Sequence, residues 1–361
     1  MQIAFFGSSL LSSYWNGAAT YYRGIIRELN ARGHRITFYE PDAYGRQQHL
    51  DVSADLPWVD VSVYDNSGPA VLRALEQARS ADLIVKASGV GVNDQLLERE
   101  VLRIRRAGAS AAFWDVDAPA TLDRVNSSPG DPFRELIPKY DVIFTYGGGE
   151  PVVRGYQRLG AKLCVPIYNG LDPQTHHPVP SDPAYAADLS FLGNRLPDRE
   201  QRVEEFFLKA ASLQPALKFL FAGSGWQDKP VPSNVQYIGH LYSAQHNAFN
   251  CSARAVLNVT RDSMAKYGFS PATRVFEAAG AGACLISDNW EGIEMFLEPG
   301  REILVAQSGQ EVADILARLS PAQARSIGAA ALARVLKDHT YAQRAQQVDA
   351  ILRGSHLAAV G

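Results

Sequence analysis

Short, unbroken apolar runs alternate with helical stretches along nearly the whole chain. That alternation calls for parallel strands joined by crossover helices. Ile3-Ala4-Phe5-Phe6 ends at Gly7, and residues near Ala18 to Ala31 carry a helical pattern. Gly33-His34 closes the helix, and Arg35-Ile36-Thr37-Phe38-Tyr39 is rich in strand formers. This is one βαβ unit. The pattern repeats, with helices expected over 71–78, 95–106, 134–139 and 152–159, and strands over 82–86, 111–114, 141–146 and 163–167. The strands are continuous apolar runs, as strands covered by helices on both faces must be.

Asp172 to Pro183 interrupts the series with four prolines in twelve residues, a linker composition. Alternation then restarts. Strands are expected over 189–193, 217–223, 235–238, 255–259, 283–287 and 302–305, helices over 199–211 and 274–281, and a helical tail over 320–357. The expected fold is α/β, with two Rossmann-like doubly wound domains facing a cleft. Its divisions are an N-terminal domain at 1–172, a linker at 173–188, a C-terminal domain at 189–335 and a last helix at 336–361 that crosses back to the first domain. A length of 361 residues suits two domains of roughly 150 each.

Composition narrows the partners. With 35 basic and 38 acidic residues, the formal charge of -3 gives no general attraction to nucleic acid or an acidic membrane. No stretch reaches the ~18 apolar residues of a membrane span, and no signal-peptide pattern opens the chain, so a cytoplasmic protein is expected. Cys164, Cys251 and Cys284 form no CxxC pair, which reads as reduced thiols. His176-His177 has no third ligand nearby in sequence, so no metal is expected. Oligomeric state is not legible.

The richest stretch runs from Asn258 to Glu294. A strand ends near Thr260, a polar loop follows, and Ser270 or Thr273 is placed to cap a helix carrying Arg274 and Glu277. A helix N-terminus with hydroxyl and cationic neighbours binds anions. A carboxylate one turn on can take both hydroxyls of a ribose. Asp288, Glu291 and Glu294 read as capping and solvated positions. In the first domain, the loop Ser8–Thr20 follows the first strand and holds Tyr14 and Trp15, which suit sugar stacking or core packing. Asp117, and next Asp115, follow another strand and are candidates for a general base.

The run Ser270-Pro271-Ala272-Thr273-Arg274-Val275-Phe276-Glu277-Ala278 resembles the donor-nucleotide motif of two-domain GT-B glycosyltransferases (group 1), and more closely the CgeB-like group. The resemblance covers most of the chain, more specifically its second half. It implies a glycosyltransferase that uses a nucleotide-diphosphate sugar as co-substrate, needs no other cofactor, and acts on an unidentified acceptor held by the first domain. It assigns Glu277 to the donor ribose, and Ser270, Thr273 and Arg274 to the diphosphate. Gly193, Asn194 and Arg195 match the loop after the donor domain's first strand, Arg195 facing the diphosphate. Gly223 and Gly225 match the loop after its next strand. Asn16 and Gly17 stand in the loop that approaches the phosphates or acceptor. Many retaining members carry a glutamate eight positions before the ribose glutamate; here that position is Phe269, and either Asp262 or no residue takes its place, so the stereochemical outcome stays open. A nucleotide-sugar 2-epimerase-like enzyme and a non-catalytic nucleotide-sugar-binding protein are the alternatives.

Overall fold

The structure, a computed structural model, describes residues 1–354. It divides into two units: residues 1–168 together with the described residues from Tyr341 on, and Asn169–Thr340.

The first unit runs β1 (Gln2–Phe6), α1 (Ala19–Ala31), β2 (Arg35–Asp42), β3 (Asp60–Asp65), α2 (Gly68–Ala78), β4 (Leu83–Ala87), α3 (Asp94–Ile104), β5 (Ser110–Asp115), α4 (Ala118–Ser127), β6 (Val142–Thr145), α5 (Gly149–Arg158) and β7 (Cys164–Pro166). Its seven strands are all parallel, in the order β3-β2-β1-β4-β5-β6-β7. Phe5, Tyr21, Phe38, Trp114 and Phe144 fill the core on one face.

The second unit runs β8 (Ala187–Leu192), α6 (Glu200–Val203), a π turn at Glu204–Leu208, α7 (Lys209–Leu213), β9 (Phe219–Ala222), β10 (Val235–Tyr237), α8 (His246–Ser252), β11 (Ala253–Asn258), α9 (Asp262–Tyr267), α10 (Thr273–Gly280), β12 (Leu285–Asp288), β13 (Leu304–Ala306), α11 (Gly309–Arg318) and α12 (Pro321–Asp338). Its six parallel strands are ordered β10-β9-β8-β11-β12-β13. Phe191, Phe207, Phe219, Phe221 and Trp226 pack beside Leu257 and Ile286. Ser320 caps α12 by accepting from the Gln323 amide, and Pro321 opens the helix at a position that needs no N–H donor. The helix α13 (Tyr341–Leu352) returns to the first unit and packs on α1.

Both sheets reverse direction once, between β1 and β4 and between β8 and β11. Loops that leave the carboxyl ends of strands at such a switch point splay apart and leave a crevice for ligand.

Some elements differ from expectation. β3 was not among the expected strands: it is an edge strand, mostly half-buried or exposed, so it lacks the continuous apolar run that marks the others. The expected helix over 134–139 is a pair of 3-10 turns, Pro132–Glu135 and Ile137–Lys139, each carrying a proline in its first turn. The helical tail breaks at His339-Thr340, and residues 355–361 of the expected last helix lie outside the described residues. No helix among the described residues is long and apolar enough to cross a membrane.

Candidate active site

The loops at the switch point of the second unit are stitched together by backbone. Gly223 has φ +134°, and a Cβ there would stand 2.1 Å from the Gly193 carbonyl oxygen. Only a glycine permits that approach. The Gly193 carbonyl accepts from the Trp226 indole at 2.7 Å. Asn194 Oδ1 accepts from the Ser224 amide at 3.0 Å, and Tyr237 donates its hydroxyl to the Gly223 carbonyl. Gly193, Asn194, Gly223 and Ser224 thus form one ledge beyond β8 and β9, and the Gly225 carbonyl accepts from Arg195 at 3.4 Å.

Two cations converge beside this ledge. A Cβ on Gly193 would lie 3.1 Å from an Nη of Arg199. Half-buried Arg274, in the first turn of α10, sits 5.3 Å above the Phe191 ring and makes no ion pair among the described residues. Burial, and next the charge of Arg199, lower the Arg274 guanidinium to about 10, while Glu277 opposes the shift. Like charges held together in a poorly solvated place make an attractive position for an anion. Glu277 follows Arg274 by three residues and so shares its face of the helix. Arg199 is the residue that sequence reasoning missed; Arg195, four positions earlier, was given the diphosphate instead.

Arg195 needs correction as the phosphate-facing cation. Its fork is engaged by Glu200, at 2.8 and 2.6 Å, and by Asp228 at 2.9 Å. Glu200 is lowered to about 2 by Arg195 and then Lys229. Arg195 therefore braces its own loop. The expected caps of α10 also change. The N-cap is Ala272, which has no side-chain acceptor, and Ser270 instead donates to the Gly268 carbonyl at 2.8 Å. Thr273 is the first helical residue. The first amides of α10 therefore have no side-chain cap.

Asp288 is no solvated carboxylate. It is fully buried, accepts from the Thr260 amide at 3.0 Å and pairs with Arg202 at 2.5 Å. Burial raises it, against the pull of Arg202. Phe269, where a glutamate is the retaining pattern, has φ +46° and lies across Gly292. Its amide donates to the Glu291 carbonyl at 2.6 Å, which fixes the loop ahead of α10. Asp262 begins α9 and pairs with Arg202 at 3.3 Å.

In the first unit, Asn16 is buried and its side chain is spent within its own loop. It donates to the Ser9 and Ser12 carbonyls at 2.8 and 3.0 Å and accepts from Ser8. Asn16 therefore shapes the loop with both its amide donors, whereas Gly17 is exposed with open space around it. Trp15 is exposed at φ +49°, while Tyr14 stacks on His49. Asp115 is fully buried and accepts from Tyr156, Thr121 and the Asp117 amide. Burial raises its carboxyl above the ordinary range. A carboxylate so enclosed cannot reach an acceptor. It positions the turn that presents half-buried Asp117 at the start of α4.

His176, without its neighbour His177, lies beside two titratable groups that are remote in sequence. His176, His246 and Glu277 each offer a ligand atom, and these atoms lie within 4.8 Å of one another.

The glycosyl transferase-like family matches residues 199–350. The search of curated proteins finds no match. Among solved structures, the chain resembles sucrose-phosphate synthase from Thermosynechococcus elongatus at 16% identity and a TM-score of 0.69, over 99% of this chain and 100% of that one. It resembles Anabaena HepE in complex with UDP and glucose at 16% identity and a TM-score of 0.68, over 98% and 100%. It also resembles the DNA-modifying β-glucosyltransferase, solved with and without uridine diphosphoglucose, at 13% identity and a TM-score of 0.63, over 98% and 99%. At these identities the structural likenesses establish the fold, and the family match lies mostly in the second unit. Together they give this chain the two-domain GT-B fold, with residues 199–350 matching the glycosyl transferase-like family.

Proposed function

We propose that the chain transfers a sugar from a UDP-sugar to an acceptor hydroxyl, with the donor bound on the second unit. The observation that carries this reading is the convergence of Arg199 and Arg274 beside Gly193, one turn before Glu277. The diphosphate would take the two guanidiniums and the uncapped amides of α10. Glu277 would bridge the ribose hydroxyls. HepE with UDP and the phage β-glucosyltransferase with UDP-glucose support a uridine donor.

Breaking the glycosidic bond leaves negative charge on the departing diphosphate. Preorganised cations already facing it stabilise that charge as it develops, so this step asks for no metal. Asp117 is assigned to take the proton of the acceptor hydroxyl.

The test is a panel of UDP-, GDP-, dTDP- and ADP-sugars, with nucleotide release followed with and without acceptors. Slow release from a UDP-sugar, accelerated by an acceptor and lost in Arg274→Ala, is the expected result. No binding of any nucleotide sugar would overturn the donor site, and an epimerised sugar would replace transfer with epimerisation.

A further inference from the structure

His176, His246 and Glu277 come from three separate segments of the second unit. His176 lies in the turn that follows Asp172, His246 begins α8, and Glu277 lies in α10. The segments are fastened to one another. Asn247 donates to the Thr175 carbonyl at 2.9 Å and accepts from the His177 amide at 3.3 Å. Gly280 lets α10 approach closely: a Cβ there would stand 3.1 Å from the His176 carbonyl oxygen and 2.2 Å from Leu171.

Each imidazole has one nitrogen engaged and one without a protein partner. His176 Nδ1 meets the Thr175 hydroxyl at 3.0 Å, and its Nε2 is buried with no hydrogen bond. His246 Nε2 meets the Leu241 carbonyl at 3.4 Å, and its Nδ1 is buried with no hydrogen bond. His176 as a whole is 3% exposed. Leaving two ring nitrogens buried and unbonded costs free energy that a ligand would recover. A carbonyl that takes the N–H of one nitrogen leaves the other as a lone pair, the arrangement that orients metal-bound histidines.

We propose that His176, His246 and Glu277 bind a divalent transition-metal ion of the zinc class, and that the ion competes with the donor ribose for Glu277. Two imidazoles and a carboxylate suit zinc and cobalt and leave a fourth position open. Ligand atoms on a tetrahedral zinc stand roughly 3.4 Å apart, a distance that small side-chain rotations reach from the present spacing. The competition rests on the ribose reading of Glu277, whereas the metal site stands without it. The ion plays no part in the transfer step; it would hold the donor site closed to nucleotide.

The test uses the full-length protein, stripped with a chelator and titrated with Co2+ as an absorbing probe, then with Zn2+. One Co2+ per chain is expected, displaced by Zn2+. His176→Gln and His246→Gln should each weaken binding at least ~10-fold with unchanged circular dichroism. Half-buried His246 is the safer of the two for folding. UDP should raise the apparent Kd for Co2+. No saturable Co2+ binding, or equal binding by both histidine variants, would overturn the site. His-dependent binding that UDP does not disturb would overturn the competition. The effect of Glu277→Gln on UDP affinity in metal-free protein then decides the ribose reading independently.

Discussion

Arg199 stands near enough to Arg274 to disfavour its charge, second only to the effect of burial. Their mutual repulsion opposes folding, offset in part by the Phe191 ring beneath Arg274. Replacing either arginine with methionine should leave the stability of the donor-free protein unchanged or raised, yet cost ~10- to 100-fold in donor affinity, the range of one or two charge-assisted hydrogen bonds. Thermal unfolding with and without UDP measures both effects. Loss of donor affinity accompanied by a large loss of intrinsic stability would mark a structural role instead. Arg274→Lys should not restore binding, because the planar fork is lost.

Glu277→Gln should weaken UDP much more than 2′-deoxy-UDP. A carboxylate that bridges two hydroxyls loses its advantage when either is missing. Calorimetry on the two nucleotides gives a ratio well above one for the native protein and near one for the variant. Equal losses on both nucleotides would mean that Glu277 does not touch the ribose.

Gly223→Ala should lower stability by about 2–4 kcal/mol, because the new methyl meets the Gly193 carbonyl at a φ that alanine resists. Donor affinity should fall with it, since the same two glycines set the ledge. A denaturant titration that gives a change below about 0.5 kcal/mol would show that the loop relaxes freely.

The two aspartates after β5 should separate cleanly. Asp117→Asn should lower kcat by ~100-fold or more with folding intact, the usual worth of a general base. Asp115→Asn should lower Tm, because Tyr156, Thr121 and the Asp117 amide are built around a buried carboxyl. Native turnover in Asp117→Asn would remove the base assignment and leave the transferase fold untouched.

Burial lifts the Glu98 carboxyl to about 7, with Lys86 and Arg124 opposing. The folded chain therefore keeps a proton that the unfolded chain releases near its ordinary value. This contribution is fully present below about pH 4 and is lost as the pH rises through 7, by at most about 3 kcal/mol. Between pH 5 and 7.5 the Tm of the native protein should fall relative to that of Glu98→Gln. Parallel curves would place the titration elsewhere.

The sequence carried the alternation of strands and helices because parallel strands buried on both faces are apolar throughout, as Leu83 to Ala87 shows. Edge strand β3 escaped because one exposed face breaks that signature. Within the site, the neighbourhood of Glu277 and Arg274 was legible as a contiguous motif. The partner of Arg274 was not, since Arg195 and Arg199 are alike in sequence and only the packing of Glu200 and Asp228 tells them apart. The same limit hid His246 from His176: groups brought together by tertiary approach leave no spacing to read.

The return of α13 carries a consequence for how the protein is made. Tyr341 fills the space over Gly24 on α1, where a Cβ would stand 2.1 Å from its ring. Tyr21, Tyr22 and Ile25 on α1 share one core with Tyr341, Ala345 and Val348 of α13. During synthesis, that stripe of α1 leaves the ribosome long before its cover exists, and the whole second unit emerges in between. The second unit can close on residues already made, while the first must wait exposed. The order of completion is thus the reverse of the order of translation. A nascent chain halted before Tyr341 should present a finished second unit and a sticky, chaperone-dependent first one.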